Sequence, residues 1–159
     1  MKEWTMQLFD YHVWANIRLI QHLKGLPEAV FLNKVNSVFP SIAETFGHMI
    51  AVDELWYLRM KGSSLQQIVS KSFSTIEDTV KASTVLHSEI KNFLINTEDV
   101  ENMAGYQNTK GDQFNNKIAE VVQHIVNHGT YHRGNIAAMI RQMGYEGVST
   151  DYIFYLRDK

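Results

Sequence analysis

The chain contains no cysteine, which removes disulfides, thiolate metal ligands, redox dithiols and a cysteine nucleophile together and leaves only nitrogen and oxygen chemistry. Proline occurs twice, at Pro27 and Pro40, and glycine nine times in 159 residues, so helix breakers are sparse and long helices are expected. No unbroken apolar run approaches the roughly 18 residues of a membrane span. The opening MKEWTMQLFD places Glu3 and Asp10 where a signal peptide carries basic and then apolar residues, so a cytoplasmic protein without membrane partners is expected. There is no excess of positive charge either: 15 Lys and Arg against 17 Asp and Glu give a net charge of -2 with no basic block. That balance argues against sequence-independent attraction to phosphate backbones, and nucleic acid is not an expected partner.

What is present is the composition of a soluble globular protein, 45% apolar and 20% charged, at a length that buries one core. One domain over residues 1–159 is expected. From Lys2 to Lys24, Met6, Phe9, Val13, Asn16, Ile20 and Leu23 recur at alternating spacings of three and four, the seam of an amphipathic helix. The stretch from Gly25 to Pro40 punctuates it. Ser41 and Glu44 then form an S-x-x-E capping box ahead of Ile42, Phe46, Met49, Val52 and Trp56, which predicts a second helix to about Lys61. After a Gly62-Ser63-Ser64 break, Ser74 and Glu77 repeat that box before Ile76, Val80, Leu86, Ile90, Phe93 and Leu94. A third helix follows.

Residues 97 to 113 read as a polar connection in which Lys-Gly-Asp can close a short hairpin. A fourth helical stripe runs through Phe114, Ile118, Val121, Ile125, His128, His132, Ile136, Met139 and Met143 until Gly144, and Thr150 with Asp151 can cap a short tail helix through Asp158. Four long helices bury their apolar stripes best against one another, so the expected fold is all-α, a four-helix bundle.

The chemistry rests on the seven histidines. HIVNHGTYH sets His124, His128 and His132 four apart, and helix side chains at that spacing lie about 5–6 Å apart on one face. Neighbouring pairs can therefore share one metal ion, with imidazole–zinc bonds of about 2.0–2.1 Å. Core histidines hydrogen-bonded to a neighbouring helix have the same spacing, so the motif is sufficient for a metal without being diagnostic. His128 and His132 fall in the middle of the apolar stripe, where unpaired imidazoles are costly to desolvate. His48 also points inward, with Val52 and Leu55 on its face, and is the candidate third ligand. His124 and His87 lie on the flanks of their stripes and are expected to be solvated or to support ligands, and His12 and His22 to lie on the surface.

Asn16, a polar residue in the first seam, is either a core amide that fixes helix register or a contact to the site. Tyr131 and Arg133 flank the histidine pair and are candidates for donating a proton or binding an anionic substrate group, against the ordinary reading that they snorkel or cap. Gly129 and Gly134 each cost a helix about 1 kcal/mol relative to alanine, which suggests close approach of a neighbouring helix or a ligand. Trp4, Tyr11 and Trp14 lie off the main seam and suit packing, a lid or a subunit contact.

YHVWANIRLI, AETFGHMIAVDELW, HIVNHGTYHRGNIAAMIRQMG and STDYIFYLRD together resemble the DinB/YfiT-like superfamily of metalloenzymes over nearly the whole chain. The resemblance implies a four-helix bundle with a long crossover connection, a three-histidine metal site at His48, His128 and His132, a divalent ion with zinc or nickel foremost, and a homodimer. Its characterised members include transferases that use a low-molecular-weight thiol and a thiol-dependent isomerase, so it implies activation of a thiol against a small-molecule electrophile. Activation of water by a hydrolase and a non-catalytic metal-stabilised binding module are the alternatives. No H-E-x-x-H motif supplies a general base; Glu44, one turn before His48, is the nearest carboxylate and has a capping role.

Overall fold

The computed structural model describes residues 1–63 and 67–158. Ser64 of the Gly62-Ser63-Ser64 break lies outside them. Four long helices, α1 (Lys2–Lys24), α3 (Ile42–Met60), α4 (Ile76–Asn96) and α5 (Ile118–Gln142), carry the fold, with a four-residue α2 (Ala29–Leu32), strands β1 (Met103–Gln107) and β2 (Gln113–Lys117), and a short α6 (Tyr152–Arg157). The expected bundle is present. Its principal contacts pair α1 with α4 and α5 and pair α3 with the same two helices, so α1 and α3 occupy opposite corners and the chain crosses the bundle between them.

The helix ends follow local chemistry. Ser41 Oγ accepts the Glu44 N–H at 3.2 Å, which satisfies a backbone donor that the first turn of α3 cannot pair. At α4 the cap sits one residue later than Ser74 and Glu77 predict: Thr75 Oγ1 accepts the Asp78 N–H at 3.1 Å. Both registers place a hydroxyl three residues before a carboxylate, and the observed one leaves Ile76 on the core face, 9% exposed. α5 ends at Gly144, whose φ of 87° is strained for any residue with a Cβ. There Tyr145 N–H reaches Ile140 O and Gly144 N–H reaches Arg141 O, the paired closure of a Schellman motif.

The fourth stripe began too early. Phe114 belongs to β2, where it faces Tyr106 across an antiparallel pair, and α5 starts at Ile118. The hairpin loop is organised by Asn108, whose Oδ1 accepts from the Lys110 and Asp112 N–H groups. The tail helix starts after Asp151 without a side-chain cap.

The apolar interior divides in two. One cluster gathers Phe9, Ile50, Ile90, Leu94, Val122 and Ile125; the other gathers Leu19, Ile42, Phe46, Met49, Ile136 and Met139. Along α1 and α5 the change from one to the other falls near Asn16 and Arg133, and along α3 it falls between Met49 and Ile50, one turn before Asp53. His12, Asn16, Asp53, His87 and Arg133 form a buried polar layer beside that change. His12, expected on the surface, is completely buried. α1 packs against two helices rather than one, so its buried face is a double stripe that takes in Thr5, Leu8, Tyr11, His12, Ala15 and Leu19 beside the single seam.

Gly129 exists for this layer: a Cβ there would come within 2.5 Å of His12 Cε1 and 2.8 Å of Arg133 Nη1. Gly134 does not share that reason, since a Cβ there meets nothing within 4 Å. The two glycines should therefore respond oppositely to alanine in urea denaturation. Gly129→Ala should lose about 1–3 kcal/mol through overpacking, and Gly134→Ala should gain up to about 1 kcal/mol from helix propensity. Shifts of equal sign would contradict the packing account.

Candidate metal centre

α3 and α5 pack along their length, which brings His48 against the His128–His132 turn. His128 Nε2 lies 3.1 Å from His48 Nε2 and 3.1 Å from His132 Nε2. Ligand nitrogens of all three lie within 4.8 Å of one another. Each Nε2 offers one proton or one lone pair, so the central His128 cannot serve two imidazole neighbours equally well. A cation at the meeting point gives all three lone pairs one partner, and two metal–nitrogen bonds of about 2.0–2.1 Å comfortably bracket such separations. The residues fit a divalent ion.

Packing rather than hydrogen bonding aims the rings. Phe39 lies over His48 with centroids 4.7 Å apart and against His132 at 5.6 Å, and Tyr131 meets the His132 ring edge-on at 5.0 Å. Nδ1 of His128 and of His132 is buried without a hydrogen-bond partner. His132 is buried, while His48 and His128 keep partial exposure, so the cluster sits at the edge of the bundle rather than at its centre.

Electrostatics keep the cluster in its ligating form. Burial and the adjacent His132 push His128 down to about 4, and burial with the neighbouring His48 does the same to His132, also to about 4. Burial lowers His48 too, with the Asp53 carboxylate pulling the other way. All three imidazoles are therefore neutral near pH 7, the state a metal requires.

The other candidates are dispersed. His124 is exposed, with its ring against Trp56 at 4.8 Å and stacked 6.0 Å from His128, and it stands outside the three-nitrogen cluster. Tyr131 is at the rim, 61% exposed. Arg133 and Asn16 are in the buried layer instead: Arg133 Nη1 donates to Asn16 Oδ1 at 3.0 Å, and Nη2 donates to Thr130 Oγ1 at 2.9 Å and reaches Tyr11 Oη. Glu44 is exposed and accepts from Ser41 Oγ. His22 bonds Glu146 O near the surface. Tyr11 and Trp14 pack on Tyr155 of α6, and Trp4 remains half exposed beside Tyr152.

His87, expected to be solvated or to support ligands, is buried and bonds Asp53 Oδ2 at 3.2 Å, and His12 bonds the same oxygen at 3.0 Å. Asp53 and Phe39 escaped the sequence reading. A carboxylate directly after the apolar run Met49-Ile50-Ala51-Val52, one turn from Met49 and Ile50, was the available signal for Asp53; Phe39, in an irregular segment, left none.

A helical bundle with three imidazoles converging between two of its helices defines a class of proteins that could hold a metal ion on nitrogen ligands. Comparison with known proteins gives that class a family: the DinB family profile matches residues 1–159, and the chain belongs to the DinB family. It is 34% identical over 167 residues to Protein DinB of Bacillus subtilis strain 168, covering 98% of this chain and 95% of that one.

His132→Ala should abolish stoichiometric metal retention, and His124→Ala should leave it intact, both read by elemental analysis after gel filtration; the reverse result would move the site by one turn. The metal-free protein should also lose stability as pH falls. His128 and His132 titrate lower when folded than when unfolded, so the unfolded chain binds more protons between about pH 6.5 and the folded value of about 4. Stability is therefore full above that window and declines through it on acidification. Urea midpoints at stepped pH should fall in that interval, and less so in His132→Gln; a flat profile would contradict burial of neutral imidazoles.

Proposed function

We propose that this protein is a divalent-metal-dependent enzyme that activates a low-molecular-weight thiol against a small electrophile, with zinc or nickel as its ion. The supporting observation is the donor set. Among the described residues the cluster comprises three imidazoles and no fourth histidine or carboxylate within ligand distance, which is the composition of an open site rather than a closed structural one. A divalent ion held there would supply Lewis acidity and lower the pKa of a thiol or water.

The chain's own contribution is positioning and proton control. His48, His128 and His132 hold the ion as neutral ligands and leave its full charge. Phe39 and Tyr131 limit ring motion, and the exposed Tyr131 phenol at the rim is the candidate group for moving a proton at the substrate. Arg133 and Asn16 support α5 from the interior in this reading. Hydrolysis has less support, because Glu44, the carboxylate nearest in sequence, is tied to its cap. Assembly as a homodimer is part of the proposal, supported by family membership and by the exposed Trp4 and Ile17 of α1.

Removal of the metal should leave a cooperatively folding helical protein, since the two apolar clusters form without it, but should abolish thiol transfer. Matched metal-free and metal-loaded samples, followed by circular dichroism and assayed over several thiols with an alkylating electrophile, test this. Equal rates would reject the mechanism, metal-dependent ester or amide hydrolysis without thiol transfer would favour the hydrolase, and global unfolding would make the site structural. Light scattering should give twice the 18.3 kDa of one chain; the mass of a single chain would remove the dimer.

A further inference from the structure

We infer that His12, Asp53 and His87 form a second site for a first-row divalent cation, in the bundle interior and separate from the His48 cluster. The three side chains come from α1, α3 and α4. Asp53 Oδ2 stands 3.0 Å from His12 Nε2 and 3.2 Å from His87 Nε2, and the three ligand atoms all lie within 4.8 Å of one another. Two imidazoles and one carboxylate suit the same borderline ions that imidazoles alone attract. Facing helices of a bundle commonly supply such interior ligands.

The groups around His12 Nε2 are in conflict. Arg133 Nη1 donates to Asn16 Oδ1 at 3.0 Å, and because a guanidinium only donates, that bond fixes the Asn16 amide. Its Nδ2 is thereby turned toward His12 Nε2 at 3.1 Å. His12 Nε2 thus faces an N–H donor and a carboxylate acceptor at once. With a proton on Nε2, it serves Asp53 and opposes the amide. With a lone pair there, it accepts from Asn16 and opposes the carboxylate oxygen. A metal ion between Nε2 and Oδ2 removes the repulsion between lone pair and carboxylate, which then share one positive partner, and leaves the Asn16 amide opposed only as a proton on Nε2 already does.

Two further observations favour an ion. Asp53 Oδ1 is buried with no hydrogen-bond partner, although a buried carboxylate ordinarily satisfies both oxygens, and it is free to join as a chelating ligand. A groove of about 330 Å³ between α1 and α4 reaches Asn16 and His87 at the edge of the three side chains, with Asp10 on its wall paired to Lys91 at 2.6 Å. Arg133 contributes a nearby positive charge, so this site should fill after the His48 cluster and bind more weakly.

Cobalt(II) titration of the full chain, with bound metal counted by elemental analysis after equilibrium dialysis, tests the assignment. The native protein should reach two equivalents. The double variant His128→Ala/His132→Ala should keep one, and His87→Gln or Asp53→Asn, confirmed folded by circular dichroism, should lose only the weaker one. Should both of those variants misfold, nitrogen NMR of the native protein decides: on filling the second equivalent with zinc, the His12 and His87 ring nitrogens should shift to ligated values. Saturation at one equivalent, a second equivalent untouched by His87→Gln and Asp53→Asn, or unshifted His12 and His87 nitrogens would overturn the proposal. The thiol-transfer reading stands or falls separately, on the His48 cluster.

Discussion

Asp53 is the constraint around which the interior is arranged. A carboxylate 1% exposed carries a desolvation cost of several kcal/mol unless it is paired, and in this bundle the pairing comes from His12 on α1 and His87 on α4. One side chain of α3 thereby ties three helices at one level. His12 in turn needs room, and α5 makes it by placing Gly129 opposite the ring. Arg133, one turn further along α5, brings Asn16 into the same layer. All four long helices contribute to this layer.

The same carboxylate acts at longer range on the candidate metal centre. It favours the charged form of His48, His124 and His128, against the burial that lowers all three, joined at His124 by Arg59 and at His128 by the neighbouring histidines. Burial prevails for the ligand imidazoles, so the cluster stays neutral. A negative charge held nearby still offsets part of the field of any cation that collects there. His48 and Asp53 are five residues apart on α3, about 140° around the helix at 100° per residue, which lets one helix serve the seam with α5 on one side and the bundle interior on the other.

Much of this was legible in the sequence, and the losses have identifiable causes. His48, His128 and His132 could be read because each sits on the apolar stripe of its helix, where an inward polar residue stands out. α1 packs against two helices, and a search for one seam passed over the second row that contains His12. His87 was placed at an edge for the same reason: the edge of a stripe becomes interior once a neighbouring helix covers it. The α4 cap slipped by one because Ser74 and Thr75 are each followed three residues later by a carboxylate, and only the packing of Ile76 separates the two registers. Phe114 continued the helical spacing of α5 by chance, and its pairing with Tyr106 across the hairpin could not be weighed against that spacing without the partner strand.

Family membership and a shared bundle do not by themselves assign a reaction, because chemistry belongs to sites placed on a fold. In this chain the candidate site and the buried layer are nevertheless mechanically joined. Gly129, which accommodates His12, is the residue after His128, and Arg133, which anchors Asn16, is the residue after His132. Successive helix residues point about 100° apart, so α5 presents its ligand pair toward α3 and its glycine and arginine toward α1 within the six residues from His128 to Arg133. A change that alters how His12 sits against Gly129 must move the backbone that aims His128. The precision of the three-nitrogen cluster therefore depends on the packing of a layer that supplies none of its ligands.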